Sequence, residues 1–153
     1  MKKVKKTIAV IGVIALLVAL FLDVNDIRNL FKKRIDITGE WKLKFRIQES
    51  SYSQYVDKVA EYKVYFIQEG NKINGQGEKW KFDEKFVPYS EHSPLIIEGK
   101  YKNDTIYCKY ILKGSLRETT GNFKAFYDNG KLIGSFSGTG ADAKGLIFGD
   151  KIR

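Results

Sequence analysis

The sequence predicts an all-β domain, an eight-stranded up-and-down barrel, preceded by one N-terminal transmembrane helix. Three observations predict it: one uncharged run near the N-terminus, period-2 alternation of apolar and polar residues from position 37 onward, and two-residue Asn/Gly turn signals between the alternating segments. At 153 residues, 43% hydrophobic and 29% charged, the chain suffices for one domain with a core and excludes a multidomain enzyme. Ten Phe, nine Tyr and two Trp against two Pro exclude a disordered chain, which lacks the surface needed to offset its ordering entropy. The lone cysteine, Cys108, excludes an internal disulfide and, by itself, a structural zinc site.

The first segment, residues 1–36, opens with Lys2, Lys3, Lys5 and Lys6 and continues from Thr7 to Leu22 without a charge. As a helix, this run covers roughly 24 Å of a hydrocarbon core of about 30 Å, a gap that lysine snorkelling or local bilayer thinning closes. The competing reading is a cleaved signal peptide. Bulky Leu20, Phe21 and Leu22 occupy positions where cleavage requires small residues, so an uncleaved single-pass anchor is expected. Arg28, Lys32, Lys33 and Arg34 nearly balance the lysines on the other side, which leaves orientation open. Between them Val24, Ile27, Leu30 and Phe31 suit either a short helix at the membrane surface or a plain linker. Of the net charge of +9, this segment carries more than half, so the charge belongs mainly to a lipid bilayer partner and not to a nucleic acid polymer.

The second segment, residues 37–153, starts with Ile37, Gly39, Trp41, Leu43, Phe45 and Ile47 on one face and Thr38, Glu40, Lys42, Lys44, Arg46 and Gln48 on the other. That is a half-buried strand. Seven more strands are expected at about 57–69, 72–82, 95–101, 105–112, 118–127, 131–139 and 144–152. Gly70-Asn71, Asn103-Asp104 and Asn129-Gly130 supply residues that tolerate φ > 0, and Ala141 to Ala143 makes a weaker turn. Residues 48–55 and 83–94 are the two longest irregular stretches, each with room for a short helix or a lid. Eight hairpin-linked strands with one apolar face cover that face and remove both sheet edges by closing into a barrel. Glycines inside strands, at positions 75, 77, 121, 134, 138, 145 and 149, permit the bends that closure needs.

No catalytic set emerges. His92 is the only histidine and lies in a loop beside Glu91, without the nucleophile and base geometry that acyl transfer requires. Neither a metal cage nor a phosphate-binding glycine loop is present in the pattern, and no cofactor or metal is expected. What remains is a pocket. Strand parity turns Phe45, Tyr62, Val64, Tyr101, Cys108, Tyr110, Thr119, Phe123 and Tyr127 inward, a lining rich in phenols. Two readings stand: core packing with hydroxyls reaching the mouth, or a ligand site in which tyrosines stack on planar rings and bond polar edges. For the second, Tyr62, Tyr101, Tyr110 and Thr119 are the candidate ligand-binding residues, with Arg117 as the cation for an anionic group.

Gly39-Glu40-Trp41 resembles the Gly-x-Trp signature of the calycin barrels (lipocalins, avidins and fatty-acid-binding proteins), which implies that Gly39 and Trp41 form a structural plug at one barrel end. The chain departs from lipocalins in lacking a cysteine pair, and its late cations are Lys151 and Arg153. A membrane anchor before a minimal calycin-like barrel is similar to the membrane-anchored β-barrel effectors of bacterial cyclic-oligonucleotide anti-phage (CBASS-type) signalling, which usually have two membrane helices. That resemblance implies a non-enzymatic receptor for a cyclic nucleotide, with the barrel in the cytosol, self-assembly in the bacterial inner membrane and disruption of that membrane. The alternative expectation is an envelope-anchored, lipocalin-like protein that binds apolar small molecules or serves a structural role.

Overall fold

A computed structural model of the protein describes residues 35–115 and 117–152. The anchor expected at residues 7–22 and the segment at 23–34 lie outside the described residues. Among the described residues no helix is long and apolar enough to cross a membrane.

The described chain forms nine strands in one antiparallel sheet: β1 (Gly39–Glu49), β2 (Val59–Glu69), β3 (Lys72–Phe82), β4 (Lys85–Phe86), β5 (Pro94–Lys102), β6 (Thr105–Lys113), β7 (Glu118–Asp128), β8 (Lys131–Gly138) and β9 (Lys144–Lys151). Each long strand pairs with the next, and β9 returns to pair with β1, so that eight strands close an up-and-down barrel with an architecture consistent with the calycin type. β4 is an addition within the expected loop at 83–94: Asp83 and Glu84, both at positive φ, fold two residues back on the end of β3. Residues 53–55, 89–91 and 140–142 each form a single 3-10 turn.

Closure follows from the alternation. Inward positions of β1 and β2 are buried while their neighbours face solvent, and Phe45 lies at the centre of the upper core. Its ring makes edge contacts with Tyr62, Tyr110, Phe123 and Phe136 at centroid distances of 5.0, 5.7, 6.2 and 4.8 Å. Edge-to-face geometry at these distances is the favoured arrangement of aromatic quadrupoles. The interior below the mouth is therefore filled by the protein's own side chains.

The two barrel ends are built differently. At one end the strands are joined by the turns at 70–71, 103–104 and 129–130, and Asn103, Asp104, Asn129 and Gly130 take the positive φ that such turns demand. Trp41 plugs this end: it is fully buried, donates its indole N–H to the Ile37 carbonyl at 2.7 Å, and meets Phe66 and Tyr127 edge-on. Gly39 has φ of +131°, which a side chain rarely tolerates, and this is why glycine begins β1. Lys151 stands opposite Trp41 across the β1–β9 ladder and donates from its ammonium to the Asp36 carbonyl at 3.2 Å. The other end, the mouth, carries the longer connections at residues 50–58, 87–93, 114–117 and 139–143.

Candidate functional site

A cavity of about 230 Å³ opens at the mouth. Its floor is aromatic, formed by Phe45, Tyr62, Tyr110 and Phe136, and its rim is made by Lys79, Arg117 and Thr119 with Tyr55 and residues of the 139–143 connection. No carboxylate lines it among the described residues. Of the five candidate ligand residues, the fold brings together Tyr62, Tyr110, Arg117 and Thr119. Tyr101 is elsewhere. It sits at the plugged end, where its hydroxyl donates to the Asp104 carboxylate at 2.5 Å and accepts from the Asp104 backbone N–H at 3.1 Å, a lock on the tight turn.

The rim loops are braced against one another. Ser51 donates its backbone N–H to the Ala141 carbonyl at 2.9 Å and its hydroxyl to Asp142 at 2.6 Å, tying the 50–58 loop to the 139–143 connection. Lys58 pairs with Asp83, joining the first of these loops to the end of β3. Arg117 is held through its backbone: its carbonyl accepts from Gly114 N–H at 3.1 Å, closing the turn between β6 and β7, while its side chain stays exposed. Thr119 packs against Gly140, where an added Cβ would stand 2.8 Å from the threonine methyl.

Tyr110 reaches across β7 and β8 because both strands present glycine to it. A Cβ at Gly121 or Gly138 would lie 2.3 Å from the phenol, and the hydroxyl donates in a long contact, 3.4 Å, to the Ser137 carbonyl. Burial pushes the Tyr110 phenol up to about 12. It pushes Tyr62 higher still, with the neighbouring Tyr110 adding to the effect. Both phenols are neutral hydrogen-bonding groups at physiological pH. Cys108 is likewise raised to about 12 by burial, which leaves an unreactive thiol.

Lys79 was not foreseen from the sequence. Strand β3 pairs Glu61 with Lys81 but Tyr62 with Lys79, so Trp80 is the extra residue of a β-bulge and the parity of the strand reverses there. Below the bulge the inward residues are Ile73, Gly75, Gly77 and Lys79; above it Phe82 points inward. The sequence holds the signal: Ile73 assigns odd positions to the core while Phe82 assigns even ones, and only a bulge reconciles the two.

His92 lies between the 87–93 connection and β3, its Nε2 3.0 Å from the Val87 carbonyl and its Nδ1 3.0 Å from a Glu78 carboxylate oxygen but not aligned for a hydrogen bond. Among the described residues no cluster of three or more His, Cys, Asp or Glu could hold a metal ion.

These features define the class: a closed eight-stranded antiparallel barrel, plugged at one end and open to a small cationic, aromatic cavity at the other. Comparison with family models, with curated proteins and with solved structures gave no match for the chain.

Proposed function

We propose that this protein is a membrane-tethered β-barrel receptor whose mouth binds a small anionic ligand, with cyclic nucleotides as the ligand class. The observation that carries the reading is the convergence of Lys79 and Arg117 above the phenols of Tyr62 and Tyr110, in a cavity lined by no described carboxylate. Such a site pairs charge-assisted donors for phosphate with aromatic faces for a base. Volume limits the pose. About 230 Å³ is below the roughly 300–1,000 Å³ of sites that engulf a drug-sized ligand, so one base or phosphate enters while the rest of a cyclic di- or trinucleotide lies across the rim.

The same magnitude weighs against the apolar-carrier alternative. An acyl chain needs a deep empty barrel, and here Phe45 and its four aromatic neighbours occupy that space. Membrane tethering rests on the uncharged run at 7–22, and the extension to a membrane-disrupting effector of anti-phage defence, acting as a self-assembled inner-membrane protein, rests on the resemblance in architecture. Thermal-shift titration of the detergent-solubilised full chain with a cyclic-nucleotide panel tests the reading. A ligand at 100 times its Kd stabilises the fold by about 2.7 kcal/mol, a shift of several degrees. A panel that leaves the melting point unchanged while fatty acids raise it hands the site to the apolar-carrier reading.

A further inference from the structure

The bulge that turns Lys79 inward throws Trp80 onto the outer wall of the barrel. There the ammonium groups of Lys63, Lys81 and Lys42 lie 4.5, 4.7 and 5.4 Å from the centroid of the Trp80 ring system, so all three stand within about 10 Å of one another. Lys42 and Lys63 are direct cross-strand partners, an arrangement that is unfavourable for like charges. No described carboxylate lies within 4.0 Å of any of the three. Glu78, the cross-strand neighbour of Lys63, turns a carboxylate oxygen to 3.0 Å from His92 Nδ1. Glu61 faces both Lys44 and Lys81 across its two ladders, and Asp150, which faces Lys42 across the β1–β9 ladder, is paired with Lys131 at 3.6 Å. A second, independent observation comes from the indole itself: the Trp80 Nε1–H is closed off from solvent and has no acceptor, whereas that of Trp41 is bonded. A buried donor without an acceptor is uncommon enough in a folded protein to need a physical reason.

We infer that Trp80 with Lys42, Lys63 and Lys81 forms an oxyanion site on the outer wall, separate from the mouth, that takes a phosphate group. The three ammonium groups supply charge and donors, and an oxygen of the anion accepts from the Trp80 N–H. Lysine is suited to this because its stem is flexible: the chains that lie over the indole ring can swing toward its N–H edge and close on the anion there. A ring with two faces satisfies two cations by cation–π contact, and Lys81 already shares itself with Phe86 at 4.4 Å, so the cluster is left with cationic capacity that an anion completes.

The chain has two tryptophans, so its indole N–H groups give two signals in a ¹⁵N spectrum of the full-length protein in detergent, with the bonded Trp41 as an internal reference. Inorganic phosphate added at constant ionic strength is expected to move the Trp80 signal to saturation and leave Trp41 in place. Lys63→Gln and Lys81→Gln are each expected to weaken the response about tenfold, and the double variant to abolish it. The same spectra in nanodiscs of zwitterionic lipid or of phosphatidylglycerol separate the sources. Saturation by free phosphate assigns the site to a soluble phosphorylated compound, and a shift seen only with phosphatidylglycerol assigns it to a lipid headgroup. No shift in either arm overturns the inference, as does a shift that chloride reproduces or that survives in the double variant with the Trp41 signal unchanged.

Discussion

The plugged end and the mouth of the barrel are made from the same eight strands, yet one is closed by a tryptophan and the other is left as a cavity. Connection length accounts for most of the difference. Two-residue turns at 70–71, 103–104 and 129–130 bring the strand ends together, so that Trp41, Phe66, Ile106 and Leu132 pack with no exposed surface. Four longer connections hold the opposite strand ends apart, and the residues between them, Lys79, Thr119 and Tyr55, stay half-buried. The fully buried plug thus sits where the turns are short and the cavity opens where the loops are long, the usual place for a site on a rigid scaffold.

That division predicts a graded series of effects. The largest is expected at the plug: Trp41→Ala removes a fully buried indole and its hydrogen bond to Ile37 and should cost about 3 to 5 kcal/mol in thermal or chemical unfolding. A melting point within a degree or two of the parent would show that the plug does not hold the barrel. Alkaline pH probes the floor of the mouth next. The folded-state pKa of Tyr110 is raised from 10.0 to about 12, so the neutral phenol favours folding; its contribution is complete below pH 10 and is lost as pH rises from 10 to 12. Two units correspond to about 3 kcal/mol, and absorbance at 295 nm should show late ionisation coincident with unfolding. Ionisation of all tyrosines near pH 10 in the intact fold would contradict the packing described.

Gly121→Ala follows. Its new Cβ would stand 2.3 Å from the Tyr110 ring and from the Ser137 carbonyl, and the forced shift should cost about 1 to 3 kcal/mol. If the clash is the cause, adding Tyr110→Phe, which keeps the ring, should not rescue the variant, whereas Tyr110→Ala should recover part of the loss in a double-mutant cycle. The smallest effect on stability is expected at the rim: Arg117→Ala, at an exposed position, should change the melting free energy by no more than about 0.5 kcal/mol. The same substitution, and Lys79→Ala, should weaken binding of an anionic ligand roughly 10- to 150-fold, the worth of one charge-assisted contact. A rim substitution that unfolds the protein, or leaves a measured affinity untouched, would erase the distinction between the two ends.

The sequence by itself determined the all-β class, the eight long strands and the three tight turns, while a plug at Trp41 was implied only by the resemblance of Gly39-Glu40-Trp41 to the calycin signature. Alternation fixes which face of a strand is apolar, and Asn103-Asp104 or Asn129-Gly130 fixes where it must reverse, both through local sterics. Hairpin order even held the information that Tyr101, next to such a turn, belongs to the end opposite Arg117. Tertiary structure decided the rest. The bulge at Trp80 put Lys79 into the mouth and an indole among lysines on the wall, because Tyr62 pairs with Lys79 and Glu61 with Lys81, and that register is settled by hydrogen bonds between strands. Phe45 fills the barrel because closure brings Tyr62, Tyr110, Phe123 and Phe136 around it from four other strands. Period-2 alternation carries no information on how far across a closed barrel a side chain reaches, so an open interior and a filled one have the same strand pattern.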